Sequence, residues 1–95
     1  MFDKLKQLNQ LRKQAKTIQS ELEKIHIEAE ESGIKVTINA KQEVISVDIP
    51  EEMGTNTANL SRLLVKAFNK ATKKSQEVAA EKMKGLMGDL GLPGM

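Results

Sequence analysis

The chain contains no cysteine, no tryptophan, no tyrosine, two phenylalanines and a single histidine, His26. Without cysteine there is no disulfide framework, no thiol nucleophile and no thiolate metal site, which fits a reducing cytoplasmic setting. One histidine leaves too little for a zinc site or a His-based catalytic group. The scarcity of aromatics, 2% of residues, removes the rings on which single-stranded nucleic acid stacks. Phe2 lies near the start of the sequence and Phe68 falls in the phase of a buried face. No apolar run approaches the roughly 20 residues that a membrane helix needs. Met1 to Gln7 carries no apolar signal segment either, so a soluble, unexported protein with no membrane partner is expected. Phosphate loops, G-x-S-x-G, H-E-x-x-H and EF-hand spacings are all missing. The adjacent acids Glu30/Glu31 and Glu51/Glu52 border turns, where carboxylates are ordinarily solvated. We therefore expect no enzymatic activity, no cofactor, no metal and no small-molecule substrate.

What is present is charge and helical period. Of 95 residues, 39% are hydrophobic, a thin core for a lone chain, and self-association is expected. The net charge of +2 hides an uneven distribution. Residues 1–24 carry six Lys/Arg against three acids, residues 25–56 two against seven, and residues 57–95 seven against three. Basic ends flank an acidic middle. A polyanion partner requires local density of Lys and Arg, not a large total.

Leu8, Leu11, Ala15, Ile18, Leu22 and Ile25 alternate spacings of three and four, an a/d seam on a long helix over about residues 3–23. Lys6 and Lys13 lie on roughly the opposite face, with Arg12 and Lys16 on its flank. Residues 25–30 satisfy two periods: Ile25, Ile27 and Ala29 alternate as in a strand, while Leu22, Ile25 and Ala29 would continue the helix. His26 falls on the polar phase of that strand, as an exposed or inter-strand residue. After Gly33, Ile34, Val36 and Ile38 mark a strand. A turn through Ala40–Glu43 leads to another, with Ile45, Val47 and Ile49 on one side and Pro50 ending it. Asn56 or Thr57 is placed to cap a second helix over about residues 57–84. Its apolar face runs through Leu60, Leu63, Leu64, Ala67, Phe68, Ala71, Val78 and Ala79. Arg62, Lys66, Lys70 and Lys74 repeat every four residues beside that face, with Lys73 next to them. The sequence thus reads as one domain over residues 1–84 followed by a flexible Gly/Met/Leu-rich tail, 85–95. Met83, Met87 and Met95 could line an adaptable partner groove, but a loose hydrophobic end, with Met95 terminal, is the preferred reading.

Across nearly the whole chain, weak pieces occur in a specific order. They are Met1-Phe2, Leu11-Arg12-Lys13-Gln14-Ala15, Val36-Thr37-Ile38-Asn39, Val47-Asp48-Ile49-Pro50, Leu64 through Ala67-Phe68-Asn69 to Ala71, Glu81-Lys82-Met83 and Gly91-Leu92-Pro93-Gly94. In these the sequence resembles the YbaB/EbfC family of bacterial nucleoid-associated, DNA-binding proteins. Ala40, where the family usually has Gly, Ile49 in place of the usual Asp before Pro50, and a short link between the first two strands depart from its pattern. The resemblance implies an α+β fold, an α-β-β-β-α protomer with a three-stranded antiparallel sheet, in which residues 25–30 form the first strand. It further implies a homodimer whose long helices project as arms onto double-stranded DNA, and no catalytic activity.

The expected function is accordingly a nucleoid-associated protein that binds duplex DNA mainly through the phosphate backbone, in nucleoid organisation or gene regulation. The expected phosphate contacts are Lys6, Arg12, Lys13 and Lys16 from the first helix and Lys70, Lys73 and Lys74 from the second. These are read from helical geometry; within the resemblance only Arg12 and Lys13 lie in a matched segment. The competing reading is a protein-interaction module that uses the seam and hydrophobic tail, with the lysines as solubilising surface.

Overall fold

The computed structural model describes residues 2–89. A helix α1 (Phe2–Lys24) leads into three strands, β1 (His26–Glu31), β2 (Ile34–Asn39) and β3 (Val44–Asp48). A short 3-10 turn over Glu51–Thr55 then precedes the long helix α2 (Thr57–Asp89). This is the α-β-β-β-α order expected from the sequence, and the strands form one antiparallel sheet in the order β1-β2-β3. The two-way period of residues 25–30 resolves as strand.

The turns follow from local chemistry. Ser32 and Gly33 have φ of 52° and 89°, the paired positive values of a two-residue type I′ hairpin, whose twist matches the flanking strands. Gly33 also lies close under Pro50, where a Cβ would come within 3.1 Å of the proline Cγ. Between β2 and β3, Gln42 adopts φ 67°, and Asn39 organises the loop. Its Oδ1 accepts from the Lys41 and Glu43 N–H groups at 2.9 and 3.0 Å, and its Nδ2 donates to the Glu43 carboxylate at 2.8 Å. Asn56 caps α2, its Oδ1 accepting from the Asn59 N–H at 3.1 Å, so one otherwise unpaired donor of the first turn is satisfied.

One side of the sheet is dry. Ile34, Val36 and Ile38 of β2 and Ala29 of β1 are fully buried against Leu63, Ala67 and Ala71 of α2. Burial of each Ile or Val side chain contributes about 1.5–3 kcal/mol. The small residues Ala67, Ala71 and Ser75, spaced by four, let the helix backbone approach the strands closely. Ser75 closes this ridge with a hydrogen bond from its hydroxyl to the Asn39 carbonyl, 2.7 Å.

Two expectations need correction. Ile45, Val47 and Ile49 do not share one buried side. The β2–β3 register shifts between Thr37 and Ile38, so that Val44 stands opposite Ile38 and Ile45 has no partner. A bulge of this kind breaks the period of two; Val47 packs on the core while Ile45 and Ile49 are exposed. The second correction concerns α2, which runs through Gly85 and Gly88 to Asp89. An isolated glycine costs a helix about 1 kcal/mol but keeps its N–H, so it weakens the helix without ending it. Any irregular tail starts after Asp89, and residues 90–95 lie outside the described residues.

The molecule is elongated, 64 × 21 × 17 Å. Both helices leave the sheet at the same end. Ala40 donates to the Leu22 carbonyl at 3.1 Å, and Ser75 meets Asn39 beside it. Beyond these points α1 runs back toward its N-terminus and α2 runs on toward Asp89. The seam of α1 shows the transition: Leu22 is 7% exposed, whereas Leu8 and Leu11 are 53% and 52% exposed. Ile18 and Ile25 are half-buried between these extremes.

Candidate nucleic-acid interface

On an α-helix successive residues turn by about 100°, which places Arg12, Lys16, Lys13 and Lys6 within an arc of about 120° on α1. All four are exposed. Asn9, Arg12, Lys13, Ala15 and Lys16 line a shallow concavity on this face. Leu8, Leu11 and Ala15 occupy an adjacent sector and Leu5 falls between Arg12 and Lys16 in projection, so the projecting helix carries a basic face bordered by exposed apolar side chains. Between Lys6 and Lys16 this basic arc holds no acid: Asp3 and Glu21 lie outside it, and Glu23 enters it only at the base of the helix. There Glu23 accepts a 2.8 Å bond from Lys41. That bond, the largest influence, holds the Lys41 ammonium above its ordinary value; desolvation opposes it, and the charges of Glu23 and Glu43 add smaller support.

The lysines of α2 are placed differently. The buried ridge Leu63, Ala67, Ala71 and Ser75 divides the helix into two flanks. Leu60, Leu64 and Phe68 form an apolar flank that packs half-buried against the core. The basic flank lies over β1, where Lys70 donates to the Glu30 carbonyl at 2.8 Å and Lys74 to the Glu28 carbonyl at 3.2 Å. Lys70 also approaches the Glu31 carboxylate at 3.8 Å. Lys73 is exposed. The seven expected contacts therefore divide into four gathered on one face of α1, two laid along the sheet edge, and one facing solvent.

Sequence reading missed Lys82 and Lys84 as part of this surface. Both are exposed on the portion of α2 that runs past Ser75. Both already fell within the expected helix over residues 57–84, and continuing the helical spacing from Lys70 and Lys74 would have marked them as part of the same arm. The outer sheet face offers no comparable basic area: His26, Glu28 and Glu30 of β1 share it with Lys35 and Thr37 of β2 and Ser46 and Asp48 of β3. Positive charge is thus gathered on the helices, and the outward face of β1 carries the exposed carboxylates of Glu28 and Glu30. Among the described residues no group of three or more His, Asp or Glu side chains could hold a metal ion, and no helix is long and apolar enough to cross a membrane.

Comparison with known proteins agrees with this architecture. A nucleoid-associated protein of Clostridium kluyveri is 34% identical over 100% of this chain and 87% of its own length. One from Synechococcus elongatus is 33% identical with the same two coverages, and one from Rhodopseudomonas palustris is 38% identical over 94% of this chain and 89% of its own. The crystal structure of an uncharacterized Helicobacter pylori protein superposes with a TM-score of 0.62 at 16% identity, covering 87% of this chain and 96% of that one. The profile of the YbaB/EbfC DNA-binding family matches residues 1–90, and the chain belongs to that family.

Proposed function

We propose that the protein is a non-enzymatic, nucleoid-associated homodimer that binds double-stranded DNA through its projecting helices, contacting mainly the phosphate backbone. The observation that carries this reading is the gathering of Lys6, Arg12, Lys13 and Lys16 on one exposed face of α1. Lys and Arg on a rod held away from the protein body can follow a phosphate backbone without reading bases, because each contact releases a condensed counterion regardless of sequence. Lys73 joins this set from α2. Lys70 and Lys74 contribute there only by leaving the β1 carbonyls.

The dimer is supported by an uncovered part of the core. A helix is about 10 Å across and strands lie about 4.8 Å apart, so one helix covers two strands well. Helix α2 packs mainly over β1 and β2, and of β3 Val47 packs on the core. Val44 and Ile45 are left 49% and 48% exposed, with the half-buried Leu60, Leu64 and Phe68 flank beside this strand. A second copy approaching about a two-fold axis would cover this apolar side of both chains at once.

The test is duplex binding by fluorescence anisotropy across a salt series. If each chain of a dimer neutralises about three phosphates, the log–log slope should be about −5. Lys13→Glu and Lys73→Glu should each weaken binding. Absence of binding at low salt would overturn the reading and favour a protein-interaction module, for which the exposed Leu5, Leu8 and Leu11 stripe is the supporting feature.

A further inference from the structure

Among the strands, β1 and β3 both lie at edges of the sheet, yet their edges are unequal. The Ala40 N–H donates to the Ile25 carbonyl at 3.1 Å. Counting by twos from that bond, Ile27, Ala29 and Glu31 direct their backbone groups to β2, and His26, Glu28 and Glu30 direct theirs outward. Such outward carbonyls are the acceptors that an added strand requires. Two of these three are already occupied, Glu28 by Lys74 and Glu30 by Lys70. The ammonium groups reach them from α2 across the edge, and the Glu31 carboxylate 3.8 Å from Lys70 helps hold one in place. An incoming strand would present N–H donors to two positive charges and would have to displace both. Among the described residues no side chain closes the β3 edge in this way.

We propose that Lys70 and Lys74 form an edge lock that confines self-association to the β3 side of the sheet. This inference rests on the homodimer reading above. The consequence is one of symmetry. A chain with two open edges can join β1 to β3 of the next copy, a head-to-tail contact that repeats into a fibre. With β1 closed, the only contact between sheets uses the same β3 side on both chains, and assembly stops at two. The two lysines thus have a structural assignment separate from any phosphate contact.

Sedimentation velocity of the full chain without DNA tests the lock. The wild type should sediment at about twice the chain mass of 10.5 kDa, and Lys70→Ala/Lys74→Ala should add species heavier than that dimer. Alanine is the best helix former, so α2 is retained in the double variant. Adding Glu28→Pro then separates edge growth from general aggregation. The Glu28 N–H points outward, so proline there removes no bond to β2 but bars a new strand. Heavier species in the double variant that vanish with Glu28→Pro support the lock. A double variant that remains a dimer, or heavier species that persist with Glu28→Pro, would overturn it. A monomeric wild type would instead refute the dimer reading, and the lock with it.

Discussion

Asn39 ties the β2–β3 loop to α2. It is buried, shapes the β2–β3 loop through its amide, and receives the Ser75 hydroxyl at its carbonyl. Asn39→Ala would leave the Lys41 and Glu43 N–H groups without their acceptor and is expected to lower stability by about 1–3 kcal/mol in urea unfolding. Lys13 sits at the other extreme, an exposed side chain with no role in packing. Lys13→Glu should leave the urea midpoint unchanged while reducing the steepness of the salt dependence of DNA binding by about one to two in a dimer, read from the anisotropy slope. The Lys41–Glu23 bond acts oppositely with pH. Because the folded chain raises the lysine above 10.5, its stabilising effect is present below that value and is lost as pH rises through the higher folded value. At this scale the sequence showed the i, i+4 ridge of Lys70 and Lys74 but not its destination. Helical spacing gives the direction in which a side chain leaves the axis, and the carbonyls that receive these two lie 40 and 46 residues away.

At the scale of elements, α1 is one continuous helix with two environments. Its a/d seam was fully legible, since period reports which residues share a face. Period says nothing about what covers that face, and here cover ends near Ile18. Leu22→Asp, in the covered part, should cost a few kcal/mol by burying an unpaired charge. Leu8→Asp, in the exposed part, should change stability by less than about 0.5 kcal/mol, and urea unfolding of the two variants side by side checks both. The β2–β3 pair shows a different limit. Alternation placed Val47 correctly and Ile45 wrongly, because a bulge inserts one residue into a pattern whose only signal is parity. Residues 25–30 were ambiguous for a related reason: Ile25 and Ala29 satisfy both periods, and pairing with β2 decides between them.

For the whole molecule, the order of elements and the segregation of charge were readable from the chain alone. The different placement of its lysines required the fold, because it depends on which sheet edge lies under α2. If β3 is the side on which two copies meet, Ile49→Lys should shift the protein toward monomer, seen as a fall in sedimenting mass toward that of a single chain. The same variant is expected to bind duplex DNA more weakly at equal chain concentration. Two rods on one assembly raise the effective concentration of the second contact once the first has formed, and separate chains lose that advantage.

Both rods are rooted in one small joint, where Leu22 meets Ala40 and Ser75 meets Asn39. A 23-residue helix is about 35 Å long, so a tilt of only about 10° at that joint moves its far end by about 6 Å, comparable to the width of a DNA minor groove. The loop from Asn39 to Glu43 therefore acts as the fulcrum of a lever, and substitutions there should alter the span between basic surfaces without touching a single basic residue.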